Sequence, residues 1–246
     1  MIKAKVLGIS IDAITMQETL ERVENAIVTN KQIHHTVVNA GKIVSMQTNK
    51  ELEESVVDAD IINADGQAIV WAANLLGHNL PERVSGIDLM EELVKRSFEK
   101  RYKCFFFGAT EEVVTKLVNI YKMQYSEDMI AGYRNGYFKK EDEDKIALQI
   151  AESGANILFV AITSPKKEIF LNTYKNKLTN VNFIMGVGGS FDVIAGKVKR
   201  APLWMQNSGL EWFYRVVQEP KRMWKRYLVG NTKFICLIIK EYFKSK

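Results

Sequence analysis

Residues 34–67, HHTVVNAGKIVSMQTNKELEESVVDADIINADGQ, contain the pattern that decides the fold. The β-branched run at residues 34–38 predicts a strand, and the apolar spacing over residues 41–57 predicts a helix. A second short strand is predicted at residues 61–62, just before the turn-forming sequence NADG. Strand, helix and strand in succession predict a βαβ unit, in which the two strands lie parallel.

The same alternation of strand and helix patterns extends over about the first four-fifths of the chain. Further strands are predicted at residues 5–9, 103–107, 128–132, 156–161 and 182–185. Helices are predicted at residues 67–76, 87–100, 110–124, 141–152 and 165–174, and at 15–28 behind a capping box of Thr15 and Glu18. Together they predict an α/β fold, with a Rossmann-like, mostly parallel sheet flanked by helices on both faces. Such sheets bind ligands at the carboxyl ends of their strands.

The sequence changes character after Gly196. The strand patterns stop, proline occurs at Pro202 and Pro220, and aromatic residues crowd the segment: Trp204, Trp212, Phe213, Tyr214, Trp224 and Tyr227. We therefore predict an α/β domain over residues 1–200 and a basic, aromatic-rich helical appendage over residues 201–246.

Charge is concentrated in this appendage. Residues 215–246 hold nine Lys or Arg against two Glu, a local balance of +7 within a chain total of +5, so the rest carries −2. This distribution predicts an anionic partner for the tail.

The two cysteines are far apart in the sequence and suggest a reducing compartment. The N-terminus lacks a signal-peptide pattern, and the apolar run at residues 234–239 is far shorter than the ~20 residues of a spanning helix. We expect a cytoplasmic protein.

Small or polar residues follow the predicted strands, at positions where a ligand would bind. The glycine-rich turn at residues 186–190, GVGGS, has the composition of a phosphate-binding turn but lacks the third glycine of G-x-G-x-x-G. A tight turn that lets a helix pack on the sheet is an equally good interpretation. The other strand-end positions with small or polar residues are Thr36, Asn39, Asp65, Gln67, Gly108, Thr110 and residues 163–165.

Asp65 is the one carboxylate directly at a predicted strand end. It is either a general base or the N-cap of the following helix, and the pattern alone favours the cap. Arg83, in a polar loop, is either a phosphate ligand or an ordinary surface arginine.

His34 and His35 are adjacent in a strand and point to opposite faces, so we interpret both as structural. The sequence lacks the acidic pair typical of metal-dependent nucleotide-sugar enzymes.

Eight short motifs then occur in a characteristic order: TVVNA (36–40), NADG (63–66), RVSG (83–86), FFGA (106–109), PKKE (165–168), GVGGSFD (186–192), AGKVKRAP (195–202) and GLEW (209–212). Arg215 and the pair of residues 219–220 with Arg222 and Arg226 complete the set. Over nearly the whole chain this set resembles the WecG/TagA/CpsF family, glycosyltransferase family 26.

The resemblance implies an inverting, metal-independent transferase without a cofactor. It implies transfer of N-acetylmannosamine from a UDP-sugar to a polyprenyl-diphosphate-linked sugar, in teichoic acid, common antigen or capsule synthesis. By the same resemblance Asp65 is the candidate base, and Arg215, Arg222 and Arg226 are appendage residues that close over the site. The implied substrate-binding residues are Thr36, Asn39, Gln67, Arg83, Gly108, Lys167, Gly186, Gly188, Gly189 and Asp192.

This chain departs from the family pattern at two positions. Lys167 stands where the family usually has glutamine, and it adds a charge that could pair with a phosphate. Thr36 lies three residues before Asn39, with Val37 at a position where threonine can occur. These changes leave open a related enzyme that transfers glucose, N-acetylglucosamine or another hexose.

The basic stretch at residues 221–228 fits either an amphipathic helix on an anionic lipid surface or an ordinary packed helix with a solvated face. A lipid-linked acceptor favours the membrane, and hence a peripheral position on the inner face of the cell membrane. The apolar run FICLII (234–239) argues against a nucleic-acid-binding arm, and a nicotinamide enzyme would need the absent dinucleotide fingerprint. Whether the chain forms a homo-oligomer stays open.

Overall fold

The computed structural model describes residues 2–244, except for the side chains of Arg222 and Arg226. The chain begins with an antiparallel hairpin of β1 (Lys3–Val6) and β2 (Ile9–Asp12). Leu7 and Gly8 form its two-residue turn with φ values of 50° and 84°, the left-handed conformation that such hairpins favour. The single strand predicted at residues 5–9 is therefore wrong, because the chain reverses inside that apolar run.

Six strands form the main sheet, and all neighbouring strands in it are parallel. Their spatial order is β4-β3-β8-β7-β5-β6, which confirms the predicted parallel α/β fold. The strands are β3 (Ile33–Val38), β4 (Ile61–Ala64), β5 (Cys104–Gly108), β6 (Ile130–Arg134), β7 (Ile157–Ala161) and β8 (Phe183–Gly186).

Within residues 2–244, nine α-helices follow the hairpin or connect these strands: α1 (Met16–Val28), α2 (Ala40–Met46), α3 (Lys50–Val57), α4 (Gln67–Leu75), α5 (Gly86–Lys100), α6 (Glu111–Gln124), α7 (Glu143–Ala151), α8 (Lys166–Tyr174) and α9 (Ser190–Ile194). The predicted capping box at Thr15 and Glu18 is present. The helix predicted over residues 41–57 is two helices, because the Asn49 side chain accepts a hydrogen bond from Leu52 N at 3.0 Å and starts α3 anew.

Alternate residues of the central strands pack into different cores. Phe106 and Phe159 face a core shared with α1, α5, α6 and α9, whereas Phe107 and Val160 face a core shared with α7 and α8. Ile43 of α2 belongs to a third core, with α3, α4 and the hairpin. The chain thus leaves the neighbouring strands β3 and β8 towards different cores, and ligands of open α/β sheets bind at the carboxyl ends of such a pair of strands.

Three helices form the C-terminal segment: α10 (Leu203–Asn207), α11 (Glu211–Gln218) and α12 (Pro220–Lys244). Phe234 and Ile238 of α12 are buried in the core around α2 and the hairpin, and the Glu241 carboxylate accepts a hydrogen bond from Leu7 N at 2.8 Å. The helical content predicted for this segment is confirmed, whereas the domain division at residue 200 stays a prediction. No helix within residues 2–244 combines the length and apolar content needed to cross a bilayer.

Candidate active site

Asp65 lies immediately beyond the carboxyl end of β4, and the structure fixes it there through its backbone. The Asp65 N–H donates to the carbonyl oxygen of Val38 at 2.8 Å, which ties it to the end of β3. The N-cap of α4 is Gly66, at φ 112°, and no side chain caps this helix. The interpretation of Asp65 as a cap is therefore wrong. Among the described side chains, none donates a hydrogen bond to the Asp65 carboxylate.

Among the described side chains, four charged groups influence the proton affinity of the Asp65 carboxylate. Burial raises the pKa of Asp65, and the nearby carboxylate of Glu211 raises it further. The cationic groups of Arg215, Arg83 and Lys42 oppose this but do not cancel it. A carboxyl group with a raised pKa is a stronger base once it is deprotonated, which suits proton abstraction from a hydroxyl.

A buried cluster of charges lies at the carboxyl ends of β3 and β7. The Lys42 ammonium is 2.8 Å from Glu168 Oε1 and donates to the carbonyl oxygen of Val37 at 2.5 Å. Lys167 contacts the same carboxylate oxygen, and all three charged side chains are less than one-tenth exposed. Burial raises the pKa of Glu168, but the two ammonium groups outweigh it and hold the pKa at about 2. The cluster thus carries a net charge of +1.

The C-terminal helices pack over the start of α4, beside Asp65. Arg83 Nη1 is 3.3 Å from Glu211 Oε2, and Arg215 Nη2 is 3.6 Å from Glu211 Oε1. Arg83 Nη2 also donates to Gln206 Oε1 at 3.4 Å. The two predicted site arginines, Arg83 and Arg215, therefore contact the same carboxylate although they are far apart in the sequence. The side chains of Arg222 and Arg226, also predicted here, lie outside the described residues.

Gly209 allows this close packing. It has φ 69°, and a Cβ on it would lie 3.0 Å from Trp71 Cη2 and 3.1 Å from Gln67 Cβ. Only a glycine combines this backbone conformation with so close an approach to α4. The predicted site residue Gln67 thus lies beneath the C-terminal helices.

Known proteins resemble this chain over most of its length. The family model described as the glycosyl transferase WecG/TagA/CpsF family matches residues 4–246. The chain belongs to this family. A relative from Bacillus subtilis, named N-acetylglucosaminyldiphosphoundecaprenol N-acetyl-beta-D-mannosaminyltransferase, is 37% identical over 188 residues, which cover 76% of this chain and 72% of the relative. A Bacillus spizizenii protein of the same name is 35% identical over 192 residues, covering 78% and 73%.

The protein is thus a glycosyltransferase, and the resemblance inferred from its motifs is confirmed. Several residues predicted to bind substrate in this glycosyltransferase have partners within the protein. Asn39 caps α2 by accepting from Lys42 N at 3.0 Å, and the nearly buried Thr36 hydroxyl accepts from Lys42 Nζ at 3.4 Å. Asp192 forms an ion pair with Lys197 at 3.4 Å. The Lys167 ammonium, predicted to be available for a phosphate, contacts Glu168.

The predicted glycines divide into two kinds. Gly108 and Gly186 are required by packing: a Cβ would lie 2.4 Å from the Ala161 carbonyl oxygen at Gly108, and 2.9 Å from the Lys167 stem at Gly186. At Gly188 and Gly189 a Cβ would meet no atom within 4 Å, although Gly188 has φ 54°. The second pair therefore leaves room above the turn, as a substrate-binding role requires.

The histidines are structural, as predicted. His35 Nε2 lies 2.8 Å from Asn63 Oδ1, and its ring packs on Phe183 with the centroids 5.4 Å apart. Burial lowers the pKa of both His34 and His35 to about 4, so both are neutral near pH 7.

Sequence reasoning missed Lys42, Glu168 and Glu211 as site residues. A signal for Lys42 exists, since it stands next to Ile43 on the face of α2 that is otherwise apolar, and a buried lysine needs a partner. No comparable signal marks Glu211, whose two partners come from a distant loop and from its own helix.

Proposed function

We propose that this glycosyltransferase moves N-acetylmannosamine from its UDP derivative to the sugar of a polyprenyl-diphosphate-linked acceptor, with Asp65 as the general base. The observation that supports it best is the Asp65 carboxylate: it stands at a strand end, has a raised pKa and is flanked by Arg83 and Arg215. The acceptor is inferred from the two relatives, whose names specify N-acetylglucosaminyldiphosphoundecaprenol. The UDP donor is inferred from the family resemblance.

In the proposed reaction an acceptor hydroxyl attacks C1 of the donor sugar. A bond forms from the hydroxyl oxygen to C1, the bond from C1 to the diphosphate oxygen breaks, and UDP leaves. Asp65 takes the proton of the hydroxyl as the new bond forms. Attack from the face opposite to the diphosphate inverts the anomeric centre.

The leaving diphosphate gains negative charge, and cationic groups near Asp65 can stabilise it. Arg83 and Arg215 supply guanidinium groups, and the cluster of Lys42, Glu168 and Lys167 adds a net +1 below them. We propose that these groups stabilise the leaving diphosphate as a divalent metal ion does in metal-dependent glycosyltransferases. Activity should therefore persist in EDTA.

We also propose that α12 holds the enzyme on the inner surface of the cell membrane. With 100° between successive residues, five of its exposed apolar side chains share an arc of about 100°, and Val229 lies about 40° beyond it; the five are Trp224, Leu228, Ile235, Ile239 and Phe243. Lys233, Lys240 and Lys244 lie on a neighbouring face. An apolar face beside a lysine face suits an anionic bilayer surface, where each lysine contributes about 1 kcal/mol.

A donor other than UDP-N-acetylmannosamine is favoured by one observation, the lysine at position 167. This side chain crosses Gly186 at the end of β8 and alters the charge where the family has a neutral amide. UDP-glucose and UDP-N-acetylglucosamine are therefore the alternative donors to compare.

The experiment is a donor screen in EDTA with a synthetic polyprenyl-diphosphate-N-acetylglucosamine acceptor, followed by UDP release and product mass. The Asp65→Asn variant should lower kcat by about 10²–10⁴-fold and keep UDP binding, because it removes the base and keeps the shape. Asp128, an exposed aspartate two residues before β6, supplies the matched control: Asp128→Asn should leave kcat unchanged. Wild-type turnover by Asp65→Asn would refute the base assignment, and a folded protein that releases UDP from none of the three donors would refute the proposed reaction.

A further inference from the structure

Glu211 is the carboxylate on which the two site arginines meet. Its Oε2 lies 3.3 Å from Arg83 Nη1, and its Oε1 lies 3.6 Å from Arg215 Nη2. All three side chains are at least two-thirds buried. One carboxylate thus uses both oxygens to hold two guanidinium groups that come from different segments of the chain.

Within the described part of the chain, the Arg83 guanidinium has one polar side-chain partner besides Glu211. It belongs to the loop between α4 and α5, and its second contact is Gln206 Oε1 at 3.4 Å. Gln206 is itself anchored, because its amide donates to the Ala201 carbonyl oxygen at 2.7 Å. An arginine side chain has many rotamers, and two guanidinium groups brought together without a carboxylate would repel each other.

We propose that Glu211 is a positioning residue of the transfer reaction, which holds Arg83 and Arg215 in one fixed arrangement beside Asp65. This inference rests on the proposed roles of Asp65 and the two arginines. It assigns Glu211 no contact with substrate: Glu211 acts through the arginines, and it docks α11 against the body of the protein.

Two separable consequences follow for variants of Glu211. The charge of Glu211 raises the proton affinity of Asp65, while Arg215, Arg83 and Lys42 lower it. Removing that charge therefore lowers the pKa of Asp65, and the acid limb of the rate profile moves to lower pH. Shortening the side chain keeps the charge but loosens the arginines, so KM rises while the acid limb stays in place.

The test compares Glu211→Gln with Glu211→Asp in the full-length enzyme. Glu211→Gln should raise KM for the UDP-sugar about tenfold, since it loses two charge-assisted contacts, and should shift the acid limb of kcat/KM to lower pH. Glu211→Asp should raise KM and leave the acid limb at the wild-type position. Glu99→Gln is the control. It removes the same charge from an exposed position at the end of α5, which leads to the amino end of β5, and it should change neither KM nor the acid limb.

A carbon NMR titration of the Asp65 carboxyl group gives a readout that does not require turnover. In Glu211→Gln this carboxyl should titrate at lower pH than in the wild type, whichever donor the enzyme uses. Wild-type KM together with an unmoved Asp65 titration would overturn the positioning role and leave the proposed function standing. If Glu211→Gln does not fold, Glu211→Asp decides alone: a wild-type KM in it contradicts the inference. Full activity of Asp65→Asn would instead refute the base assignment. The titration of the Asp65 carboxyl group in Glu211→Gln would still test the effect of Glu211.

Discussion

Phe234 and Phe243 lie on the same helix in opposite environments, and together they separate two roles of α12. Phe234 is 4% exposed, against α2 and the hairpin, whereas Phe243 is 72% exposed. Replacing a buried phenylalanine by alanine loses its transfer free energy and leaves a cavity, which costs about 3–5 kcal/mol. The same change at Phe243 should alter the free energy of unfolding by less than about 0.5 kcal/mol.

The assay is denaturant unfolding of both variants, with hydrogen exchange of residues 221–244 measured in parallel. If α12 belongs to the cooperative fold, Phe234→Ala should lower the unfolding free energy by the full amount. If α12 detaches on its own, the loss should appear first as faster exchange within α12, with the main transition unmoved. Equal unfolding free energies and equal exchange in the two variants would refute the packing of Phe234.

Binding to vesicles should be weakened more by Phe243→Ala than by Phe234→Ala, the reverse of their order in unfolding. Full burial of a phenylalanine is worth about 1.5–3 kcal/mol, and partial immersion of Phe243 realises about half of that. Phe243→Ala should therefore weaken binding to anionic phospholipid vesicles about three- to tenfold. Unchanged vesicle binding by Phe243→Ala would contradict the proposed membrane face of α12.

Two further predictions concern stability and docking. Because burial lowers the pKa of His34 and His35 to about 4, well below that of an unfolded histidine, the unfolded state binds more protons between about pH 6.5 and 4. Stability should be full above pH 6.5 and fall across this window by up to about 3 kcal/mol per histidine, measured by urea unfolding at several pH values; a flat profile would contradict it. Gly209→Ala should speed hydrogen exchange in α11 and lower activity. Gly154 is the control, since it has a similar φ of 73° but a Cβ on it would meet no atom within 4 Å. Gly154→Ala should therefore lower the free energy of unfolding only by the backbone strain of about 1–2 kcal/mol. Identical exchange of α11 in both glycine variants would show that the Trp71 contact does not matter.

The sequence predicts the parts of the fold that depend on local pattern. The βαβ order is visible because buried parallel strands are continuous apolar runs and amphipathic helices have a 3.6-residue period. The hairpin at Leu7 and Gly8 was missed because a leucine in the left-handed conformation gives no turn signal, and its apolar side chain continues the strand pattern. The break at Asn49 was missed because the apolar period resumes directly after it.

The site was predictable only in part, for a related reason. Asp65 and Arg83 could be chosen because they lie in the motifs NADG (63–66) and RVSG (83–86), which carry the family resemblance. The capping interpretation of Asp65 was wrong because α4 begins at Gln67 with Gly66 as its N-cap, and a sequence pattern does not fix a helix start to within one residue. The partners of Lys42 and Arg83 are Glu168 and Glu211, more than a hundred positions further along the chain. Such pairs arise from tertiary packing, so a single sequence contains no local signal for them.

The charges around Asp65 give a chain with an acidic body a local positive excess, which suits the acidic donor that we propose. The site combines three carboxylates, of Asp65, Glu168 and Glu211, with four cations, of Lys42, Lys167, Arg83 and Arg215, which leaves a local excess of one positive charge. Lys42 and Lys167 are buried at the carboxyl ends of β3 and β7 and contact Glu168. Arg83 and Arg215 lie at the interface with the C-terminal helices and contact Glu211. An incoming diphosphate would therefore meet fixed guanidinium groups above a buried positive cluster. Such a preorganised field stabilises a leaving group without reorganisation at the moment of transfer.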